Sequence, residues 1–367
     1  MASGVPLRVP APNGSPGVTR SANFAVSQTG VLAYRTGAAG GAPAAGSDEQ
    51  RSLFWFNRTG DRSASVGTTG TYAGVDLSPD GRRFAVHLHE GTGGDNWFFD
   101  LAQGRMQRLT FDAGQDNSSP VWSPDGTRVA FASQRNSRWG LYVKLADGTA
   151  AEELITESEV QKWPTSWSPD GKLLVYTQLT GSGDVWAVPV ADDKKPVPLL
   201  QSLSAEGYGQ VSPDGKWMAY QSNETGRAEI YVKPFPEGPG KWQVSTDGGQ
   251  FPRWRRDGRE LFFYFNNNMI AADVRVTGSS VEPGVPRTLF GLAVPSVALA
   301  HGVYNRYAVT ADGQRFLISQ AGAGGAATVG GIADNIATLA DQGGASPNAT
   351  PNAVTVVLNW PRMLKEK

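Results

Sequence analysis

The chain has 367 residues, no cysteine and a formal net charge of −1, from 33 Lys and Arg against 34 Asp and Glu. The lack of cysteine excludes disulfides, thiolate zinc sites and cysteine nucleophiles, and the balanced charge argues against nucleic acid as a partner, because nucleic-acid-binding proteins usually carry a basic excess. Aromatic residues make up 10% of the chain and glycine occupies 45 positions, a composition typical of turn-rich all-β proteins.

A short turn sequence recurs along nearly the whole chain. Four copies are Ser-Pro-Asp-Gly, such as Ser123 to Gly126, and three degenerate copies keep the final glycine. The glycines that end the seven copies are Gly30, Gly81, Gly126, Gly171, Gly215, Gly258 and Gly313. Neighbouring copies lie 43–55 residues apart, which is the period of a β-propeller blade.

The chemistry of this turn explains its composition. Proline presets φ at the second position, aspartate accepts backbone hydrogen bonds at the third, and glycine adopts the left-handed conformation that closes a hairpin. We therefore expect a structural and not a catalytic role for aspartates such as Asp125.

Each repeat also contains short alternating, β-branched or aromatic runs that predict its strands. In the first repeat these are residues 23–26, 31–35, 53–56 and 63–66, and in the third they are residues 119–122, 127–133, 140–145 and 153–156. The predicted blades are residues 21–67, 71–112, 117–156, 162–200, 207–246, 250–291 and, taken together, 303–361 and 5–11.

The two ends of the chain are predicted to meet in the last blade. The final repeat has strands at 307–309, 315–319 and 354–358, whereas residues 5–11 provide a spare strand before the first repeat. Adding that strand to the last blade removes an exposed sheet edge. We predict an all-β fold in which residues 1–367 form a single seven-bladed β-propeller of four-stranded antiparallel blades, closed by the N-terminal strand. Six blades are the alternative.

The repeats resemble the TolB-type, WD-repeat-like family of β-propellers. The shared features are the Trp- or Val-Ser-Pro-Asp-Gly turns, each followed by an aliphatic strand and then by a strand such as Asp184-Val185-Trp186. Residues 219–227, 231–236 and 354–360 also resemble the C-terminal propellers of bacterial membrane-anchored serine/threonine kinases. That resemblance implies an extracytoplasmic or periplasmic sensor or docking domain.

The chain lacks the motifs of a kinase and of a membrane segment. It has no glycine-rich nucleotide loop, no His-Arg-Asp loop and no Asp-Phe-Gly, so kinase activity is not implied. Residues 1–10 show no signal-peptide pattern, and the longest mainly apolar stretch, residues 291–300, is too short to span a bilayer. We expect a monomer without a membrane segment.

The loops that enter the innermost strand of each blade are expected to line one mouth of a central tunnel. Loops that project from a rigid scaffold are common binding sites. The candidate binding residues on these loops are Tyr72, Asp116, Trp163, Glu206, Tyr208, Phe251 and Arg253. A set of exposed aromatic and charged groups is suited to contact with a protein, a peptide or a glycan.

Two of the three histidines are candidate metal ligands. His87 and His89 lie two positions apart on a predicted strand, and therefore on one face, with Glu90 next to them. The alternative is that they are ordinary polar groups at a strand end, because the sequence identifies no third ligand. Calcium held by loop Asp and Asn oxygens stays open, and no other cofactor is expected.

The function favoured by the sequence is a non-catalytic binding, scaffold or sensor propeller that recognises a protein, peptide or glycan at the tunnel mouth. The alternative is a metal-assisted propeller hydrolase or lyase acting on a carbohydrate or peptide. Only three histidines are available for such chemistry, and the chain has no Gly-x-Ser-x-Gly motif of an α/β-hydrolase.

Overall fold

In a computed structural model of the chain, the described residues are 51–90, 93–111, 116–191, 193–292 and 304–321, together with the backbone of strands 24–26, 31–35 and 354–358. These residues form strands, turns and loops without a helix, so none of them belongs to a helix able to cross a membrane. The chain forms two compact units, one of residues 1–47 with 327–367 and one of residues 48–326.

The smaller unit is described as one antiparallel sheet. Its strands are β1 (Phe24–Val26), β2 (Val31–Arg35) and β27 (Val354–Leu358), with β2 in the middle. Since β2 pairs with both neighbours, this sheet brings together the N-terminal and C-terminal parts of the chain.

The larger unit contains strands β3 to β26, which form six antiparallel blades. Its first strands are β3 (Arg51–Asn57), β4 (Arg62–Leu77), β5 (Arg83–Glu90), β6 (Gly93–Asp100), β7 (Arg105–Arg108), β8 (Asn117–Trp122), β9 (Arg128–Arg135), β10 (Arg138–Leu145) and β11 (Glu153–Ser158). Then follow β12 (Lys162–Trp167), β13 (Leu173–Gln178), β14 (Asp184–Pro189), β15 (Val197–Leu200), β16 (Glu206–Val211), β17 (Trp217–Ser222), β18 (Glu229–Pro234) and β19 (Trp242–Gln243). The last are β20 (Gln250–Trp254), β21 (Glu260–Phe265), β22 (Asn268–Thr277), β23 (Ser280–Pro283), β24 (Arg287–Gly291), β25 (Tyr307–Val309) and β26 (Arg315–Ala321).

Five of the six blades follow the chain directly. Blade 2 consists of the second half of β4 with β5, β6 and β7, and blades 3, 4 and 5 consist of β8–β11, β12–β15 and β16–β19. Blade 6 is β20, β21, β22 and β24, with β23 added at the far end of β22. The remaining blade, called the seam blade below, joins β25 and β26 to β3 and the first half of β4.

The recurring turn has the structural role that the sequence predicts. In all four Ser-Pro-Asp-Gly copies the serine hydroxyl donates to the aspartate and accepts a backbone N–H from the residue that starts the next strand. The aspartate accepts a second backbone N–H, and the glycine has a φ of 69–71°. The serine hydrogen bonds lower the pKa of Asp80 and Asp170.

Six clusters of buried apolar side chains fill the interfaces between neighbouring blades. Strand β3 shows why each blade is apolar on both faces. Phe54 and Phe56 pack in the cluster shared with blade 6, whereas Leu53 and Trp55 pack in the cluster shared with blade 2. Alternate side chains of a strand point to opposite faces of the sheet. The clusters therefore join each blade of residues 48–326 to the next and return to the first.

The all-β propeller fold and its antiparallel four-stranded sheets are as predicted. Six sheets are described, and one of them, with seven strands, contains two blades that share β4. Counted as blades, six lie in the larger unit, and the sheet of the smaller unit makes a count of seven consistent with the described residues. Residues 5–11 lie outside the described residues, so closure by that strand and a single domain over residues 1–367 stay predictions.

The assignment of strands to the first and last blades was wrong. We expected residues 31–35 beside 53–56, and residues 315–319 beside 354–358, but the structure pairs β26 with β3 and β2 with β27. Both edges of β26 are occupied, by β25 and β3, so β27 cannot be its third neighbour. Short alternating strands of this kind all fit an antiparallel neighbour equally well, and their pattern does not specify which neighbour they take.

We expect Ser212→Ala to destabilise the fold by about 1–2 kcal/mol, because it leaves the buried N–H of Trp217 and the carboxylate of Asp214 without the serine hydroxyl. Urea unfolding followed by tryptophan fluorescence measures the change. Lys216→Ala is the matched control, since this exposed side chain is in the same turn and only its backbone N–H bonds to Asp214. Equal stabilities of the two variants would contradict a structural role for the serine.

Candidate functional site

The innermost strands of blades 2 to 6 share an irregularity at one position. Each register is interrupted there, between Ala73 and Val75, Ser118 and Val121, Pro164 and Ser166, Gly207 and Gln210, and Gln250 and Arg253. A β-bulge of this kind inserts a residue and re-aims its side chain relative to the pleat. The same bulge therefore occurs at equivalent positions of the innermost strand in five blades.

Two bulky residues occupy the inserted positions in a strained conformation. Gly74 has a φ of 70°, which glycine adopts freely, but Tyr208 and Phe251 each have a φ of 58°. A left-handed conformation of a bulky residue is an outlier that costs about 1–3 kcal/mol and is retained chiefly at functional sites. The strain at Tyr208 and Phe251 indicates that the placement of these two rings matters more than local stability.

The two strained rings belong to a continuous group that we call the aromatic arc: Tyr208, Phe251, Arg306 and Tyr304. The rings of Tyr208 and Phe251 meet edge to face with centroids 4.9 Å apart. The Arg306 guanidinium lies 5.7 Å from the centroid of Phe251 and 5.8 Å from that of Tyr304. The arc thus runs from blade 5 through blade 6 to the segment that enters the seam blade.

Burial controls the charges of the arc. Desolvation raises the pKa of Tyr208 and that of Tyr304, so both phenols stay protonated and can donate hydrogen bonds at neutral pH. Desolvation also lowers the pKa of Arg306, whereas the two nearby phenols act in the opposite direction. An arginine remains charged under all these conditions. The arc therefore combines the partly exposed rings of Tyr208 and Phe251 with one cation, whereas Tyr304 is 2% exposed and supports the arc from the core.

A buried polar network lies among the same innermost strands. Arg253 donates to Asp76 at 3.2 Å and to Gln210 at 3.1 Å. Asp76 also accepts the backbone N–H of Trp122, and Gln210 donates to the backbone carbonyl of Thr165. Burial raises the pKa of Asp76, and the Arg253 charge opposes that change. These contacts connect the inner strands of blades 2 to 6, so Arg253 is held by the protein itself.

A second cluster borders the arc at His87, whose ring centroid lies 5.9 Å from that of Tyr304. His87 Nε2 is 3.4 Å and His89 Nδ1 is 3.8 Å from the same oxygen of Asp116. The side chain of His87 is fully buried, and those of His89 and Asp116 are 19% and 23% exposed. Two imidazoles and a carboxylate at this spacing could hold a metal ion.

The structure brings some of the predicted residues together and places others in the core. Tyr208 and Phe251 form the centre of the arc, and Asp116 joins His87 and His89. The expectation of exposed rings was wrong for Tyr72 and Trp163, which are 2% and 0% exposed.

Both buried rings belong to strands and not to loops, which explains the error. Tyr72 lies within β4, and its hydroxyl donates to the carbonyl of Thr68 at 2.6 Å. Trp163 lies in β12 and packs against Trp139 with ring centroids 5.4 Å apart. They therefore stabilise blades 2 to 4 and are not accessible to a partner.

Glu206 is also largely enclosed, at 7% exposed, and accepts a hydrogen bond from the Ser202 hydroxyl at 2.8 Å. Burial raises its pKa, although the Ser202 hydrogen bond opposes the change. Its side-chain hydrogen bond is with Ser202, on the segment between β15 and β16, so Glu206 is not a member of the arc.

Three important residues were not predicted: Asp76, Tyr304 and Arg306. Tyr304 and Arg306 immediately precede β25, so the rule that selected the loops before the other innermost strands would have found them in the last repeat. Asp76 has no comparable signal, because it lies between Val75 and Leu77 in an ordinary alternating strand.

Comparison with known proteins supports the fold. Residues 52–194 match the TolB beta propeller domain. Over 194 residues the chain is 30% identical to the Tol-Pal system protein TolB of Anaeromyxobacter dehalogenans, a match that covers 51% of this chain and 44% of that protein. It is also 28% identical over 243 residues to tricorn protease homolog 1 of Streptomyces coelicolor, covering 62% of this chain and 21% of that one. The chain thus matches less than half the length of these relatives.

Two solved structures show the same architecture. A putative TolB from Agrobacterium tumefaciens superposes with a TM-score of 0.58 and 20% identity, covering 75% of this chain and 99% of that structure. An oligogalacturonate lyase from Vibrio parahaemolyticus gives a TM-score of 0.51 and 13% identity, covering 84% and 98%. At these identities the likeness concerns the fold alone.

We expect Arg253→Met to lower the free energy of unfolding by about 2–3 kcal/mol, because it leaves the enclosed carboxylate of Asp76 without its cation. Chemical denaturation provides the measurement. Arg275→Met is the control, since Arg275 is 80% exposed and 3.9 Å from Glu282, and such a pair contributes less than about 1 kcal/mol. If both substitutions have the same small effect, the network does not connect the blades energetically.

Lys162, next to Trp163, provides a pH test of the packing of β12. It is 2% exposed, and burial together with the Arg138 charge lowers the pKa of its amine to about 8. The folded protein therefore binds this proton less tightly than the unfolded chain, whose lysine has an ordinary pKa of 10.5. Stability should rise with pH as the amine loses its proton between these two values.

We expect Lys162→Met to be more stable than the parent at neutral pH, with a difference that shrinks as the pH rises above about 8. Urea unfolding at a series of pH values measures the difference. Lys216→Met, at an exposed position, should show no such trend. A constant difference between Lys162→Met and the parent across the series would contradict a buried, charged amine.

Proposed function

We propose that this TolB-type β-propeller is a non-catalytic binding module that recognises an extended segment of a partner protein at the aromatic arc. The observation that carries the proposal is the left-handed backbone of Tyr208 and Phe251, φ 58° in both, at the same bulge of adjacent blades. Backbone strain at two equivalent positions is retained when the side chains perform a task that a glycine could not perform.

The chemistry of the arc favours a peptide over a glycan. Arg306 lies over the ring of Phe251, and the ring of Tyr264 stacks beside Phe251 with centroids 6.5 Å apart. The faces that a sugar ring would stack against are therefore already in contact. Ring edges, the Tyr208 hydroxyl and a guanidinium instead suit an apolar side chain next to a backbone carbonyl or a carboxylate. Tyrosine and arginine are also the residues most often responsible for binding energy at protein interfaces.

The relatives support a binding role. Those with the TolB name are components of the Tol-Pal system by their names, and residues 52–194 of this chain match the corresponding propeller domain. We place the module outside the cytoplasm on the same grounds, together with its resemblance to propellers of membrane-anchored kinases. Because the match covers less than half of those relatives, the partner of this chain is defined here only by its chemistry.

A second candidate function is metal-assisted hydrolysis or elimination on a carbohydrate or peptide. The cluster of His87, His89 and Asp116 favours it, because it places two imidazoles and a carboxylate next to the arc. Turnover of an oligosaccharide or peptide that Asp116→Ala abolishes would identify an enzyme. A cluster that binds a metal without any turnover would leave the binding role as the better description.

A phage-displayed random-peptide library provides the probe for the binding role. We expect the library to yield a peptide that binds the parent protein. Its affinity, measured by fluorescence polarisation, should fall at least about 30-fold in the double variant that carries Tyr208→Gly and Phe251→Gly, because removal of a hot-spot ring costs about 2 kcal/mol or more. Val285→Ala, an exposed apolar position 88% exposed, is the control and should bind normally.

Glycine is chosen because it separates binding from folding. At a φ of 58° glycine relieves the strain, so Phe251→Gly should be about 1 kcal/mol more stable than Phe251→Ala, while both lose the ring and therefore the peptide. Peptides that bind the double glycine variant as tightly as the parent would contradict recognition at the arc.

A further inference from the structure

Strands β5 and β6 bring a third potential ligand to the two histidines. His87 and His89 lie on one face of β5, and Gly94 of β6 pairs with His89. Asp116 forms an isolated parallel bridge with Gly94, which places its side chain beside both imidazoles. The sequence alone could not identify this third ligand, because it lies 27 residues beyond His89 and reaches the pair only through tertiary structure.

Gly94 provides the space in front of His87. A Cβ atom at this position would lie 2.6 Å from His87 Cε1 and 2.7 Å from His87 Nε2. Contacts that short do not occur, so any other residue would displace the imidazole. The glycine therefore keeps the volume beside the His87 Nε2 atom open.

The orientation of His87 is set by a hydrogen bond on its other nitrogen. Nδ1 lies 2.9 Å from the backbone carbonyl of Asn117, and a carbonyl can only accept, so Nδ1 carries the proton. The lone pair of a neutral ring is then on Nε2. Metal-binding histidines show the same arrangement, in which the second nitrogen donates to a carbonyl or a carboxylate and holds the ring in position.

The Nε2 lone pair has no hydrogen-bond partner among the described residues. It faces the oxygen Oδ1 of Asp116 at 3.4 Å, and that oxygen is likewise buried without a hydrogen bond in the described part of the chain. Two acceptors directed at each other repel unless a positively charged group lies between them. His89 Nδ1, 3.8 Å from the same oxygen, adds a third donor atom to the same space.

From these contacts we infer that His87, His89 and Asp116 bind one divalent transition-metal ion, with zinc as the best fit. The three donor atoms lie within 4.8 Å of one another. A tetrahedral zinc with bonds of about 2.0–2.2 Å requires neighbouring donors about 3.4 Å apart, close to the two distances observed. Imidazole ligands favour zinc and its neighbours over calcium, which takes six to eight oxygens, so this cluster is not the calcium site left open by the sequence.

Three protein ligands leave one position of a tetrahedral zinc for water or for an exchangeable group. The side chains of His89 and Asp116 are partly exposed, and Tyr304 links the cluster to the aromatic arc. The metal site depends only on residues of this chain and does not require that the arc binds a peptide.

The test is a titration of the full chain with zinc chloride after removal of metals by a chelator. Isothermal titration calorimetry should show one ion per chain, and cobalt(II) in its place should give the strong visible bands of a four-coordinate ion. His89→Ala and Asp116→Ala should each weaken binding by at least about 100-fold, since loss of an outer-shell partner alone costs about 10- to 100-fold. These two positions are chosen because they are partly exposed, whereas His87 is fully buried.

Glu90→Gln is the matched control, since Glu90 is an exposed carboxylate next to His89 and outside the cluster. It should bind zinc as the parent does. The proposal is overturned if the parent shows no saturable zinc binding, or if a variant carrying both His89→Ala and Asp116→Ala binds as tightly as the parent. Thermal unfolding of each variant without metal shows whether a loss of binding reflects a loss of fold.

Discussion

The larger unit depends on the antiparallel pairing of β26 with β3. Seven residue pairs join these strands, from Arg315 with Asn57 to Ala321 with Arg51. Without this ladder the seam blade would be two separate hairpins, and each would expose a sheet edge and one apolar face. The pairing covers both edges and completes the interfaces with blades 2 and 6, so one contact between distant parts of the chain makes the six blades continuous.

Electrostatic contacts reinforce the seam on the side where blade 6 meets it. Glu260 of blade 6 is fully buried and accepts from Arg58 of the β3–β4 turn, and from Arg255 and Arg287 of its own blade. A buried carboxylate is costly unless several donors satisfy it. Three guanidinium groups do so here, and one of them comes from across the seam. The apolar clusters supply most of the stability of the interface, and this network satisfies the one carboxylate that Glu260 buries there.

The aromatic arc and its contact with the metal cluster are consequences of that closure. Tyr304 and Arg306 come from the C-terminal side of the seam, and His87 comes from the blade on its N-terminal side. They become neighbours only because β26 pairs with β3. The Arg253–Asp76 ion pair likewise joins residues 177 positions apart along the chain. Residues in different repeats can cooperate in a propeller because the innermost strands converge on one axis.

The Ser-Pro-Asp-Gly turns of blades 2 to 5 could be predicted from the sequence because their chemistry is local: each serine and aspartate bonds to atoms within five residues. The sequence could not predict the seam, where the partner of a strand is chosen by tertiary packing. The candidate site was predicted only in part. Trp163, expected at a loop tip, lies within β12 and in the core, because the strand begins earlier than the sequence pattern suggested. Tyr208 and Phe251 were selected from the sequence, but the bulges that give them a left-handed backbone depend on pairing with the next strand and have no sequence signal of their own.

The metal cluster and the aromatic arc are electrostatically connected through Tyr304. Burial dominates the raised pKa of this phenol, the negative charge of Asp116 adds to it, and the positive charge of Arg306 opposes it. A cation held by His87, His89 and Asp116 would neutralise the carboxylate, so the net charge around Tyr304 would become more positive. The arc would then present a more positive surface, which favours an acidic over a basic segment of a partner. Occupancy of one site thus changes the selectivity expected of the other, although the two share no ligand.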